Sequence, residues 1–174
     1  MLQETAYWHN LNNPDVDIPI LTSEQDILDS VVVVWSPPPQ PKMKINFDGA
    51  AGPGGYAFAV VARNTHFRVD GCQAKVLEIM SPVEAQAYGA LLSIELAISN
   101  GLTQIIIEGD SFAVINALRY HNPHTPLRIK NTISRSKDKL EHFSSVEFSF
   151  IKKEANVMAR SLAAYVVGNH LSQQ

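Results

Sequence analysis

From residue 43 onward the chain alternates apolar and polar positions in short runs broken by Gly, Asn and Pro. In Lys44-Ile45-Asn46-Phe47-Asp48, Ile45 and Phe47 share one face and the polar residues the other, as in a half-buried strand that Gly49 ends. Two more β-rich runs, Tyr56 to Arg63 and Phe67 to Val76, follow across the turn sequences Gly52-Pro53-Gly54-Gly55 and Asn64-Thr65-His66. That spacing predicts an antiparallel meander. The period then lengthens. Ser81-Pro82-Val83-Glu84 starts a helix, with Ser as the cap, Pro at the first helical position and Glu three residues past the cap. Val83, Ala87, Leu91, Ile94 and Ile98 hold its apolar face until Asn100-Gly101.

Gln104 to Glu108 is a short apolar strand of the kind found inside a sheet, and Ser111 to Arg119 is a helix that Asp110 is placed to cap. A further helix runs over about 126–142, with Ile129, Ile133, Leu140 and Phe143 on one face and Arg128, Arg135 and Lys139 on the other. Val146 to Ile151 alternates as a strand, and Asn156 to Val167 is the last helix. The predicted order is βββαβααβα: an α/β domain with a five-stranded mixed sheet.

The first 41 residues follow no such period. Asn12-Asn13-Pro14-Asp15 punctuates them, Thr22 to Asp29 has the pattern of one short helix, and Pro37-Pro38-Pro39 makes an extended connector. The expected organisation is an irregular extension over 1–41 and a folded domain over 42–170. Charge sharpens the division. The extension has six acids and no Lys or Arg, whereas all 14 basic residues fall in 42–174 against 11 acids. An overall charge of −3 therefore hides a mildly basic domain. Cys72 is the only cysteine, which excludes an intrachain disulfide framework and points to a reducing, intracellular compartment. No apolar stretch nears the roughly 20 residues of a membrane span, and the first residues lack a signal-peptide pattern.

The candidate chemistry lies at the ends of the apolar elements. Asp48 ends a strand in a setting where a carboxylate is costly unless paired or bound to metal. Glu84 opens a helix and Asp110 follows a strand, so the three acids suggest one assembled metal site. Each of the last two also has a plainer reading, Glu84 as the capping partner of Ser81 and Asp110 as an N-cap. Glu108 alternates with apolar neighbours and reads as a surface acid. The basic residues between Arg119 and Lys139 form either a solvated helix face or a phosphate-contacting patch. His66, His121, His124 and His142 lack metal-ligand spacing, and Trp35 is expected to pack onto the domain.

Five segments in order resemble one family: Trp35-Ser36-Pro37-Pro38-Pro39, Lys44 to Ala50, Val83-Glu84-Ala85-Gln86-Ala87, Ile107-Glu108-Gly109-Asp110-Ser111, and Glu154 to Ala163. Together they resemble the ribonuclease H domain of the plant reverse-transcriptase-like group, as found in retroelements. The resemblance implies the ribonuclease H-like fold and endonucleolytic hydrolysis of the RNA strand of RNA/DNA hybrids. It implies two Mg²⁺ ions, with Mn²⁺ as a substitute, bridged by Asp48 and flanked by Glu84 and Asp110. Ser111 matches a position beside the substrate, and Arg135, Lys139 and Arg160 become nucleic-acid contacts. One residue departs from the pattern: Arg160 stands where the family carries a fourth acid or a His. A guanidinium is permanently charged and binds no cation, so Arg160 is expected to weaken hydrolysis. The alternative is a non-catalytic nucleic-acid-binding module on the same fold, and a third class is a protein-interaction domain with neither activity.

Overall fold

The computed structural model describes residues 34–52, 55–77, 81–120 and 124–169. Residues 1–33 of the extension, with all six of its acids and the short expected helix, lie outside them, as does His121.

Five strands form one mixed sheet: β1 (Met43–Gly52), β2 (Gly55–Arg63), β3 (Val69–Leu77), β4 (Gln104–Gly109) and β5 (Ser145–Phe150), in the spatial order β3-β2-β1-β4-β5. β1, β2 and β3 pair antiparallel, while β4 runs parallel to both β1 and β5. The helices are α1 (Pro82–Ser99), α2 (Phe112–Arg119), α3 (Leu127–Asp138) and α4 (Val157–Asn169), and the order is the predicted βββαβααβα.

The apolar period of β1 decides which face is the core. Ile45 and Phe47, with Phe58, Val60, Ile105 and Ile107 from the neighbouring strands, pack against α1, α2 and α3. α4 covers the opposite face, with Ala159, Ala163 and Val167 buried. β4 can lie beside β1 only because Gly109 has no side chain: a Cβ there would stand 2.4 Å from Phe47 Cζ. Gly49 plays the same part for α1, since its Cβ would meet that of Ala85 at 2.9 Å. Both glycines lie close to Asp48, which sits just beyond the last pairing of β1 with β4.

Several boundaries differ from the expected ones, three of them as follows. β3 begins at Val69 rather than Phe67, because Phe67 has φ 63° and closes a turn in which Asn64 Oδ1 accepts the N–H groups of His66 and Arg68. β1 runs on to Gly52, opposite Gly55. The helix expected over 126–142 ends at Asp138 and finishes as a 3₁₀ turn at Leu140–His142.

Glu108 is not a surface acid. It is 4 % exposed, its Oε1 lies 3.3 Å from Lys44 Nζ, and its Oε2 accepts from Asn46 Nδ2 at 3.0 Å. Asn46 Oδ1 accepts in turn from Arg63 Nη2, and the Arg63 guanidinium lies 3.6 Å from the centre of the Trp35 ring. Lys44 also donates to the Ser36 carbonyl. Trp35 thus packs on the domain as a lid over buried cations, a placement that cation–π attraction rewards when water is excluded.

Candidate functional site

Period-two alternation puts Asp48 on the same side of β1 as Asn46, the side covered by α4. Asp48 is 3 % exposed. Its Oδ1 accepts the Gly49 N–H at 2.7 Å and the Gln86 Nε2 amide at 2.6 Å. The same Gln86 nitrogen lies 3.4 Å from Asp110 Oδ1, so a single side-chain amide bridges the two carboxylates. Flanked by acceptors on both sides, the amide must turn its N–H₂ towards them. Its own Oε1 is buried with no hydrogen-bond partner among the described residues.

Burial pushes the Asp48 carboxyl up to about 6, and the neighbouring Asp110 charge adds to the rise. The Gln86 and Gly49 hydrogen bonds and the Arg160 guanidinium oppose it. Arg160 lies in the first turn of α4, exposed, with its side chain near enough to act on Asp48 electrostatically. Asn156 fixes that turn: it is wholly buried, and its Nδ2 donates to the Phe47 carbonyl, one residue before Asp48.

Of the three acids read from the sequence, the structure brings Asp48 and Asp110 together and leaves Glu84 out. The Glu84 carboxylate accepts from Ser81 N–H at 2.9 Å and Ser81 Oγ at 2.6 Å and lies 3.8 Å from Arg128. The Ser81 hydrogen bonds hold its carboxyl below its ordinary range. It closes the capping box of α1, the plainer of its two readings. Residues two apart on a helix stand about 200° apart around its axis, so Glu84 and Gln86 cannot face the same partner. The sequence does contain the signal that selects Gln86. Ala85, Gly89 and Ser93 are small residues four apart, marking the face on which α1 approaches β1, and Gly89 packs on Phe47. Gln86, three residues before Gly89, belongs to that face.

The other expected contacts are dispersed. Ser111 is the N-cap residue of α2 directly beside Asp110, with no side-chain capping bond, so Asp110 is not the cap. α1 and α3 run side by side, with Arg128 opposite Glu84 and Lys139 opposite Glu95, each at 3.8 Å. Two of the three cations on that α3 face therefore meet acids of α1. Arg135, between them, is exposed at a cleft shared with Tyr88 and Leu91.

The implied metal can be tested against these donors. A pair of divalent ions carries four positive charges and prefers hard oxygen ligands. Here the donors are two carboxylates, an amide that presents N–H to them, and a guanidinium. Among the described residues no group of three or more His, Cys, Asp or Glu side chains is arranged to hold a metal. The residues do not fit a pair of Mg²⁺ ions.

A family model described as reverse transcriptase-like matches residues 46–166. None of the curated proteins matches the chain. Among solved structures it is similar to RNase H1 from the halophilic archaeon Halobacterium salinarum, at 18 % identity and a TM-score of 0.67, over 76 % of this chain and 99 % of that one. It is also similar to the N-terminal RNase H domain of a Mycobacterium tuberculosis protein, at 16 % identity and a TM-score of 0.69, over 76 % and 96 % of the two chains. A third is LC11-RNase H1, solved in complex with RNA/DNA hybrid, at 15 % identity and a TM-score of 0.67, over 74 % and 99 %. These likenesses establish the ribonuclease H-like fold.

Proposed function

Because the chain belongs to the reverse transcriptase-like family and has the ribonuclease H-like fold, we propose that it is a nucleic-acid-binding module that holds RNA/DNA hybrids and has little or no power to cleave them. The observation that carries this reading is the Gln86 amide between Asp48 and Asp110. It occupies with a neutral donor the space where metal-dependent hydrolysis needs a third anionic oxygen. Arg160 deepens the deficit. At an effective dielectric near 20 and about 5 Å, a unit charge repels a divalent ion by roughly 6–7 kcal/mol before screening.

The same residues suit binding. Arg160, Lys152 and Lys153 are exposed around the end of β5 and the start of α4, where phosphates would neutralise them. Ser111 offers a hydroxyl beside Asp110, and Arg135 offers a more distant cation; Lys139 is partly satisfied by Glu95. A fold neighbour binds an RNA/DNA hybrid, and the shallow minor groove of such a duplex exposes the 2′-hydroxyls that tell RNA from DNA.

A second reading, slow Mg²⁺- or Mn²⁺-dependent cleavage, is favoured by one observation: Asp48 and Asp110 still face each other. A labelled hybrid decides between them. The wild-type chain is expected to bind it with a steep salt dependence, equally with and without a chelator, and to leave it intact in Mg²⁺ and Mn²⁺. Gln86→Glu combined with Arg160→Asp is expected to gain cleavage, which Asp48→Asn then abolishes. Wild-type cleavage as fast as that of the double variant would overturn the binding-only reading. Failure to bind hybrid at low salt would overturn both and favour a protein-interaction domain.

A further inference from the structure

The Asp48–Asp110 pair has an apolar neighbour that the proposed function leaves unused. Phe112 is the first residue of α2 and Phe150 the last of β5, where it lies opposite Gly109. Their ring centres are 5.9 Å apart at 82°, an edge-on pair. They nonetheless remain 64 % and 42 % exposed. The strand pattern explains how Phe150 comes to be there. Phe148 shares its side of β5 and packs against the core, but Phe150 lies one pleat further, where α2 supplies only Phe112.

The surroundings indicate what would cover the pair. Lys152 and Lys153 follow Phe150 and are exposed, with Glu154 next to them as the one acid of that turn. Asp110 and Ser111 immediately precede Phe112. Exposed aromatic rings flanked by lysines are how proteins hold unpaired nucleic acid, the rings stacking on bases and the cations following the backbone. A purely apolar partner would leave the lysines unpaired, and an intact duplex keeps its base faces stacked within itself.

We propose that Phe112 and Phe150 form a stacking platform for unpaired bases, so that the preferred ligand is a junction at which an RNA/DNA hybrid continues as a single strand. This rests on the hybrid-binding reading above and names the form of nucleic acid it applies to.

Fluorescence anisotropy on the full chain tests it with a blunt hybrid, the same hybrid with a short overhang, the overhang made abasic, and the single strand alone. The overhang is expected to tighten binding about tenfold, as one stacked base would. The abasic overhang, which keeps its phosphates, should give none of that gain. Phe112→Ala and Phe150→Ala should each lose the gain and leave blunt-hybrid affinity unchanged, whereas Phe112→Trp should keep it. An overhang gain that survives in both alanine variants, or that the abasic strand reproduces, overturns the platform. So does a change in sedimentation of the free alanine variants, which would mark a self-association face. If the blunt hybrid fails to bind but the single strand binds through the two phenylalanines, the hybrid reading falls and the platform stands. If no probe binds, both fall.

Discussion

Two polar clusters lie on the α4-covered side of the sheet, only a few residues apart along β1, and they differ in how their charges are met. In the first, Glu108 faces Lys44 and Asn46, and Arg63 faces Asn46 and the Trp35 ring, so each charge has an opposite or polarisable partner. In the second, Asp48 and Asp110 confront each other across one neutral amide, with Arg160 as a more distant cation. The first cluster is nearly shut from water, and its charges are met from within it. The second holds a carboxyl pushed up to about 6 and an exposed guanidinium beside it. Burial of charged groups is common to both. The imbalance is what distinguishes the second as the candidate functional site.

The largest effect should come from breaking the balanced cluster. Glu108→Ala would leave Lys44 buried against an empty acceptor, and losing one partner of a buried pair typically costs about 3–5 kcal/mol. Denaturant unfolding would measure it, with hybrid affinity unchanged once the variant is folded. A loss below about 1 kcal/mol, the range of exposed pairs, would mean that water reaches the cluster.

The unbalanced cluster should respond with the opposite sign. A carboxyl raised in the folded state favours folding only when protonated, so its penalty is full above the folded value and absent below the unfolded one. Asp48 is raised from 3.8 to about 6, so Asp48→Asn, which can accept the same two hydrogen bonds, should stabilise the protein at pH 7 by at most about 3 kcal/mol. That advantage should shrink as pH falls through 6 and vanish near 3.8. Melting curves across this range check both the sign and the window. A variant less stable than wild type at pH 7 would contradict the unbalanced picture.

The sequence made the strands, the α1 cap and the Asp48–Asp110 pair legible, because all three follow from local periodicity and from where apolar runs end. Of the two readings open to Glu84, the structure favours the cap, for a definite reason. Glu84 stands at a helix start, where an acid serves a cap as readily as a site, and Ser81 already claims it. The small residues Ala85, Gly89 and Ser93 pointed to the neighbouring face and hence to Gln86, but an amide offers no charge to draw the eye. Glu108 was misplaced because alternation within β4 shows that it faces away from Ile107 without saying what lies opposite. Its partner Lys44 comes from another strand and the covering Trp35 from the connector, and such long-range pairings leave no periodic trace.

The smallest effect follows from the same correction. Glu84→Gln keeps a side-chain acceptor for the cap and should change neither hybrid affinity nor any cleavage gained by Gln86→Glu combined with Arg160→Asp. Loss of that gained cleavage would return Glu84 to the site.

Gln86, rather than Glu84, faces Asp48 and Asp110, and in the proposed function it acts with Arg160 to deny the site its cations. Calorimetric titration with Mn²⁺ tests this most directly, because it reads the site without requiring turnover. Gln86→Glu combined with Arg160→Asp should bind the ion more than about a hundredfold more tightly than wild type, a modest share of the repulsion removed. A wild-type chain that takes up Mn²⁺ as tightly as the double variant would contradict it.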